Sequence, residues 1–384
     1  MGEPRGGAGG AADLSHDVNA AWQRLASQPT PPTPAGSVGA LANRMLVYTR
    51  PNHVPAVAPV VDRRRGGLIL AGAQTGKRMR LLDQADFDAP VLVDPAAYEH
   101  YAATPEQPFW SPQDQLSRLS LQELLDQQLL AGATAALTPT GYVRAGDTDS
   151  LKAAAGKVKK LQRSDTILVA PLDIALLGKK FINQTIAILA DAGCPVALIL
   201  GKQFDPLTQS PAIIPNLRTL ALRVPLLAMR TDFNAFDLVA HGAFAGAIGT
   251  GGSIRHTVEP PTKPSAFNPA DASPSVLFPH LICWWKGSKI AKLYGARPRQ
   301  AARCSCSVCD GERLSRFLRR SDQSEALRHG VAVWSGMAAD MLDAPTMRQR
   351  AEYWRNVCVG SVAEHENIPR QLQMAEPPYH RSSP

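Results

Sequence analysis

No stretch of this 384-residue chain approaches the run of about 18 to 20 apolar residues that a membrane helix requires, so no membrane-spanning helix is expected. The opening residues 1–12 are rich in glycine and lack the apolar centre of a secretory signal, which makes a cytoplasmic protein the expectation. Cysteine is scarce, with six in the chain. Cys194, Cys283 and Cys358 stand alone, and Cys194 and Cys283 lie in apolar, strand-like surroundings where a thiol packs as a small apolar side chain. Acidic side chains are in deficit, 33 against 41 basic ones, for a formal charge of +8. That balance suits an anionic partner such as nucleic acid without identifying one. The excess is concentrated at 152–163, 286–303 and 313–320.

The other three cysteines crowd together. Cys304, Cys306 and Cys309 form a C-x-C-x-x-C cluster between two of the basic stretches. Thiols packed this closely in a reducing compartment point to a metal rather than to disulfides. Thiolates bind Zn²⁺ strongly, and a tetrahedral site needs a fourth ligand. His329 is the expected one, carried by a helix over 314–328, with His280 and Asp310 as alternatives. Four protein ligands leave no open position, so the zinc is expected to be structural.

Up to residue 60 the chain is rich in Gly, Pro, Ala and Thr, and reads as a tail with a short amphipathic helix at 18–25 and a stiff linker. Beyond it, short apolar runs alternate with helical patterns, the rhythm of repeated β-α units. Eight runs can be counted, at 68–71, 91–94, 133–137, 167–172, 196–200, 226–229, 245–248 and 276–283. Helices are expected at 113–130, at 180–192 before Gly193, and at 234–241 before Gly242. This pattern predicts an α/β chain: a (β/α)8 TIM barrel over 61–295, with a zinc-binding subdomain and C-terminal helices over 296–384. A doubly wound open sheet is the rival arrangement.

In a barrel, chemistry belongs at the C-terminal ends of the strands. Asp94, Asp173, Gln203, Arg230 and Asp232 fall there, as does the turn Gly249-Thr250-Gly251-Gly252-Ser253 with Arg255 beyond it. Each carboxylate also suits a helix cap or a loop. The glycine turn can cradle an anion, or can mark a tight turn with positive φ. Trp284 and Trp285 beside Lys286 and Lys289 can stack a base and meet a phosphate, or can be core tryptophans with solvated lysines.

A barrel whose last strand leads into C-x-C-x-x-C and a later histidine resembles the tRNA-guanine transglycosylase family. The resemblance spans about residues 68–329 and rests on the cysteine motif and its position. It implies exchange of guanine in tRNA or DNA for a 7-deazaguanine, through a carboxylate nucleophile. Asp94 then stands where the family keeps an aspartate after an early strand, and is the expected nucleophile or general base. Asp173 stands where an aspartate binds the guanine edge, and Gln203 near a base-contacting glutamine. Asp232, Gly251 and Gly252 are the remaining expected substrate contacts. Two departures stand out. Pro95-Ala96-Ala97 replaces the family's Ser-Gly-Gly, and the run at 276–283, where the nucleophilic aspartate belongs, contains no carboxylate. Displacing a base from C1′ develops oxocarbenium character that a nearby carboxylate must stabilise or capture. Two readings follow: a divergent base-exchange enzyme, or a catalytically silent zinc barrel that binds nucleic acid or partners an active subunit, a dimer being one such assembly. A barrel enzyme acting on a small phosphorylated metabolite, resting on the Gly249 turn alone, is a third.

Overall fold

The structure, a computed structural model, describes residues 33–72, 75–112, 119–203, 205–262 and 271–372. The amphipathic segment expected at 18–25 lies outside them. Eight parallel strands close a barrel: β1 (Arg44–Thr49), β2 (Leu68–Ala71), β3 (Val91–Asp94), β4 (Ala136–Leu137), β5 (Thr166–Asp173), β6 (Val196–Gly201), β7 (Leu226–Met229) and β8 (Ala245–Gly249). They pair in chain order, and β1 returns to β8 with Arg44 opposite Ala245 and Tyr48 opposite Gly249. Helices fill the crossovers: α1 (Thr75–Gln84), α2 (Leu121–Leu130), α3 (Thr148–Leu161), α4 (Ile182–Asp191), α5 (Ile213–Ala221) and α6 (Asn234–Ala240). The expected (β/α)8 barrel is therefore the architecture, and the open sheet is not.

Strand alternation separates two apolar layers. Leu46, Tyr48, Ile69, Leu92, Val169, Ile199 and Leu227 form one cluster, the barrel interior. Met45, Val47, Leu68, Leu70, Val93, Leu168 and Leu198 pack in a second, beneath the helices. Helix ends follow local chemistry. Ser120 accepts from the Glu123 amide while the Glu123 carboxylate reaches back to Ser120, a reciprocal cap that starts α2. Gly193, at φ +69°, ends the α4 segment where expected.

Two strand assignments need correction, and both trace to proline. The expected tail hides β1. Its five buried residues stand between proline-rich stretches, and Pro51, Pro55 and Pro59 open short helical turns instead of forming a linker. The run at 276–283 is not a barrel strand. Pro279 interrupts it, and Ile282 turns the chain at φ +48°, so it becomes an antiparallel hairpin of β9 (Ser275–Phe278) and β10 (Cys283–Lys286). Every barrel strand from 68 onward is thus one place later than its expected rank, and the Gly249 turn follows the eighth strand.

The C-terminal part builds on this hairpin with α7 (Gly287–Leu293), α8 (Gln323–Asp343) and α9 (Met347–Leu372). A Cβ at Gly287 would lie 1.6 Å from the Phe317 carbonyl oxygen, so α7 meets this segment at a distance only glycine permits. The helix expected over 314–328 is broken into two single turns before α8, because Asp322 takes the amides of Leu318 and Arg319. No helix among the described residues is long and apolar enough to cross a membrane.

A chain begun at residue 61 would leave β2 and β8 as open edges. It should show no cooperative thermal transition by circular dichroism, whereas a sharp transition would mean that the barrel closes without β1.

Candidate metal centre and barrel mouth

The cysteine loop is a compact turn. The Cys304 amide donates to the Glu312 carbonyl at 3.0 Å, and the Gly311 amide donates back to Cys304 at 2.9 Å. Asp310 and Gly311 carry the reversal, at φ +46° and +82°. Arg303 and Arg313 bridge the base of the loop. From α8, His329 enters the loop with no solvent exposure. Its Nδ1 lies 3.2 Å from Cys309 Sγ and 3.5 Å from Cys306 Sγ. Its Nε2 lies 2.7 Å from the Leu277 carbonyl oxygen, which can only accept, so Nε2 carries the proton and Nδ1 turns a lone pair to the sulfurs. Metal-binding imidazoles are commonly held this way. The ligand atoms of Cys304, Cys306, Cys309 and His329 all lie within 4.8 Å of one another, a set that can hold a metal ion. His280 and Asp310 are outside it, so the fourth position falls to His329. Arg316 Nη2 lies 3.3 Å from Cys309 Sγ.

At the barrel mouth, Asp94 ends β3 and is 1% exposed. Its Oδ2 accepts from Tyr48 at 2.7 Å and Tyr98 at 2.6 Å, and its Oδ1 accepts from the Ala96 amide at 2.8 Å. Burial raises its pKa, and the two tyrosines, the amide and Arg230 only partly offset that. Asp173 ends β5. Its Oδ2 accepts from Tyr142 at 2.9 Å and its Oδ1 from the Ala175 amide at 2.9 Å. Both aspartates thus cap the turn that follows them while a tyrosine holds the other oxygen. They share no hydrogen-bonding partner, so these contacts do not join them into a carboxylate pair.

Arg230, just past β7, is buried at φ +52° and ties the rim together. Its Nη1 donates to Glu99 at 2.6 Å and Tyr98 at 3.1 Å, and its Nη2 to the carbonyls of Ser253 at 2.8 Å and His256 at 2.6 Å. Arg50 grips the same Glu99 with one nitrogen on both oxygens. Burial pushes the Glu99 pKa up, but the two arginines outweigh it and the net shift is downward. Tyr48, Tyr98 and Glu99 escaped the sequence reading. Tyr48 lay in the overlooked β1, while the spacing of Tyr98 one helical turn after Asp94 was an available signal.

The remaining expected site residues are dispersed. Gln203 follows β6, half-buried, with its Oε1 lacking a partner. Asp232, at φ +50°, accepts from Trp284 Nε1 at 3.3 Å. Gly251 and Gly252 do not have positive φ, so the tight-turn explanation fails for them. Gly249 does need to be glycine, since a Cβ there would lie 2.3 Å from the Ile254 carbonyl oxygen. Trp284 belongs to neither expected role alone: it stacks on Phe233 at 5.8 Å and lies under Arg255, whose guanidinium carbon is 3.7 Å from the ring centroid.

No family model and no curated protein matches the sequence. Among solved structures the chain is similar to a protein assigned as a phosphonomutase from Burkholderia cenocepacia J2315, at 16% identity and TM-score 0.31, covering 55% of this chain and 89% of that one. It is also similar to the carboxyl transferase domain of Rhizobium etli pyruvate carboxylase, at 12% identity and TM-score 0.32, covering 98% of this chain and 78% of that one. Likenesses this slight carry no argument about activity.

Arg230→Met should destabilise the fold by about 2–3 kcal/mol in chemical denaturation, because it leaves two buried carbonyls without a donor and Glu99 with Arg50 alone. Glu99 has a lowered folded-state pKa, so its contribution is present above the ordinary carboxylate range and is lost as pH falls through the folded value. Glu99→Gln should therefore flatten the acid limb of the stability curve; an unchanged limb would remove Glu99 from the rim's electrostatics.

Proposed function

We propose that this chain is a zinc-stabilised barrel of the tRNA-guanine transglycosylase type that binds nucleic acid and is silent in base exchange. The observation that carries this reading is the state of Asp94, closed to solvent with both oxygens already accepting hydrogen bonds. A nucleophile at C1′ needs a carboxylate oxygen free to face the sugar. The strand that closes the barrel, Ala245–Gly249, offers no carboxylate as a substitute. Gln203 Oε1 is buried like the Asp94 oxygens but has no partner, an unmet acceptor that the N–H edge of guanine or a 7-deazaguanine would satisfy, so base binding can persist where exchange does not.

Three thiolates and one oriented imidazole fit Zn²⁺, whose tetrahedral sites take this donor set. The ion would lock the cysteine loop to α8, which is a structural role. For nucleic acid, the supporting feature is a group of exposed cations around that loop, among them Lys289, Lys292, Arg299, Arg303, Arg319 and Arg320. Lys286, expected among them, spends its ammonium on the carbonyls of Asp271 and Ser273.

Protein purified without chelator should contain about one zinc per chain, and Cys306→Ser should lose most of it together with much of its thermal stability. Zinc-free wild-type protein that unfolds at the same temperature would overturn the metal assignment. Binding to bulk tRNA or duplex DNA should weaken steeply with salt, and reversing Arg299 and Arg303 to Glu should lower both affinity and salt slope. Radiolabelled guanine should not be incorporated into either nucleic acid. Incorporation that Asp94→Asn abolishes would restore the base-exchange reading.

A further inference from the structure

The ends of β7 and β8 hold an arginine that the proposed function does not use. Arg255 is 7% exposed, yet its Nε and Nη2 are buried without any hydrogen-bonding partner. Those two nitrogens share one edge of the guanidinium, the edge that presents parallel N–H donors to two oxygens of one oxyanion. Trp284 covers the flat face of the group at 3.7 Å and so fixes its plane. The carboxylate of Asp232, which attracts Arg255, has its Oδ1 engaged by the Trp284 indole.

Arg255 has company. After β7, the Thr231 hydroxyl and, at the start of α6, the Asn234 side-chain nitrogen are also buried and unpartnered, at 2% and 8% residue exposure. Arg230 fastens this segment to the β8 loop through the Ser253 and His256 carbonyls. Buried donors left unpaired cost about 1–3 kcal/mol each, so two on a single guanidinium edge, with others on the neighbouring loop, indicate a missing ligand or water.

We propose that this end of the barrel is a site for a phosphoryl oxyanion, gripped side-on by Arg255 with Thr231 and Asn234 as further donors. A carboxylate would satisfy only the planar fork. A tetrahedral phosphoryl group offers oxygens in several directions, which suits donors arriving from two loops. The loops after the seventh and eighth strands are also where barrels commonly seat phosphate. Burial lowers the Arg255 pKa to about 10, with Asp232 opposing the shift, so the group remains a cation at neutral pH. His256 is pushed down to about 4 by burial and by Arg230 and Arg255, and adds no competing positive charge. This site goes beyond the proposed function, because it does not depend on the exposed cations around the cysteine loop.

The test uses the full-length protein with three probes: inorganic phosphate, a nucleoside 5′-monophosphate, and an oligonucleotide without terminal phosphates. Phosphate and the monophosphate should raise the unfolding temperature saturably relative to chloride of equal ionic strength, up to about 10 mM. Arg255→Lys keeps the charge and loses the fork, and should weaken phosphate binding at least about tenfold by calorimetry. Should that variant fail to fold, Thr231→Val should still weaken binding several-fold, about the effect of one lost hydrogen bond. Competition by the oligonucleotide would mark a backbone phosphodiester as the source; no competition would mark a free monoester. A wild-type protein that does not respond to phosphate, or foldable variants that bind it as tightly as wild type, would overturn the site. Salt-dependent tRNA binding that persists in Arg255→Lys separates this result from the nucleic-acid reading.

Discussion

The hydrogen bond from His329 Nε2 to the Leu277 carbonyl oxygen ties the helix behind the cysteine loop to the hairpin that reaches the barrel mouth. On one side it sets the imidazole tautomer, and with it the lone pair that faces Cys306 and Cys309. On the other it fixes β9, the first strand of the hairpin whose second strand carries Trp284. Room for that indole comes from the next residue of α8: a Cβ on Gly330 would stand 3.0 Å from the ring. A ligand arrangement at the cysteine loop is thereby converted into the position of an aromatic ring over Arg255. Cysteine loop and mouth are thus related through covalent geometry and one buried hydrogen bond.

The rim itself is governed by charge burial. Arg230 cannot be desolvated alone, and Glu99, two tyrosines and two carbonyls surround it, engaging both terminal nitrogens and leaving Nε unpartnered. Tyr48 stands in both this cluster and the interior core, donating to Asp94 while its ring lies 5.5 Å from the Arg230 guanidinium carbon. This end of the barrel is accordingly rigid, with its oxygens and most of its N–H groups committed to one another. Besides Arg230 Nε, the uncommitted donors near it in the chain are those on Arg255, Thr231 and Asn234.

Much of this was legible in the residues. Seven barrel strands, the C-terminal helix stop at Gly193 and the Cys304, Cys306, Cys309 and His329 set follow from period, turn chemistry and ligand spacing. The lost strand shows the limit. Arg44–Thr49 is a good β sequence, but proline on both sides imitates a linker, and only pairing with β2 and β8 decides otherwise. The reverse error at 276–283 has the same origin, since an apolar run reads as one strand until Pro279 and Ile282 fold it back. Side-chain commitment was not legible at all. Asp94 and Asp173 sit at strand ends as the pattern implied, but whether their oxygens are free depends on Tyr48 and Tyr142, which arrive from elsewhere in the chain. Sequence spacing places a carboxylate; three-dimensional neighbours determine what it can still do.

The closure of the barrel has a consequence for how the chain is made. Because Arg44 pairs with Ala245, β1 cannot find its second neighbour until about 200 further residues have been synthesised. During that interval β1 presents an unpaired, largely apolar edge, the kind of surface on which nascent chains associate wrongly. The C-terminal helices then lean on this region: the Arg350 guanidinium donates to Asn43, at the entrance to β1, at 2.8 Å, and Arg65 pairs with Asp343 at the end of α8. Synthesis order and spatial order run in opposite senses here, so completion of the C-terminal helices is also what seals β1 in place.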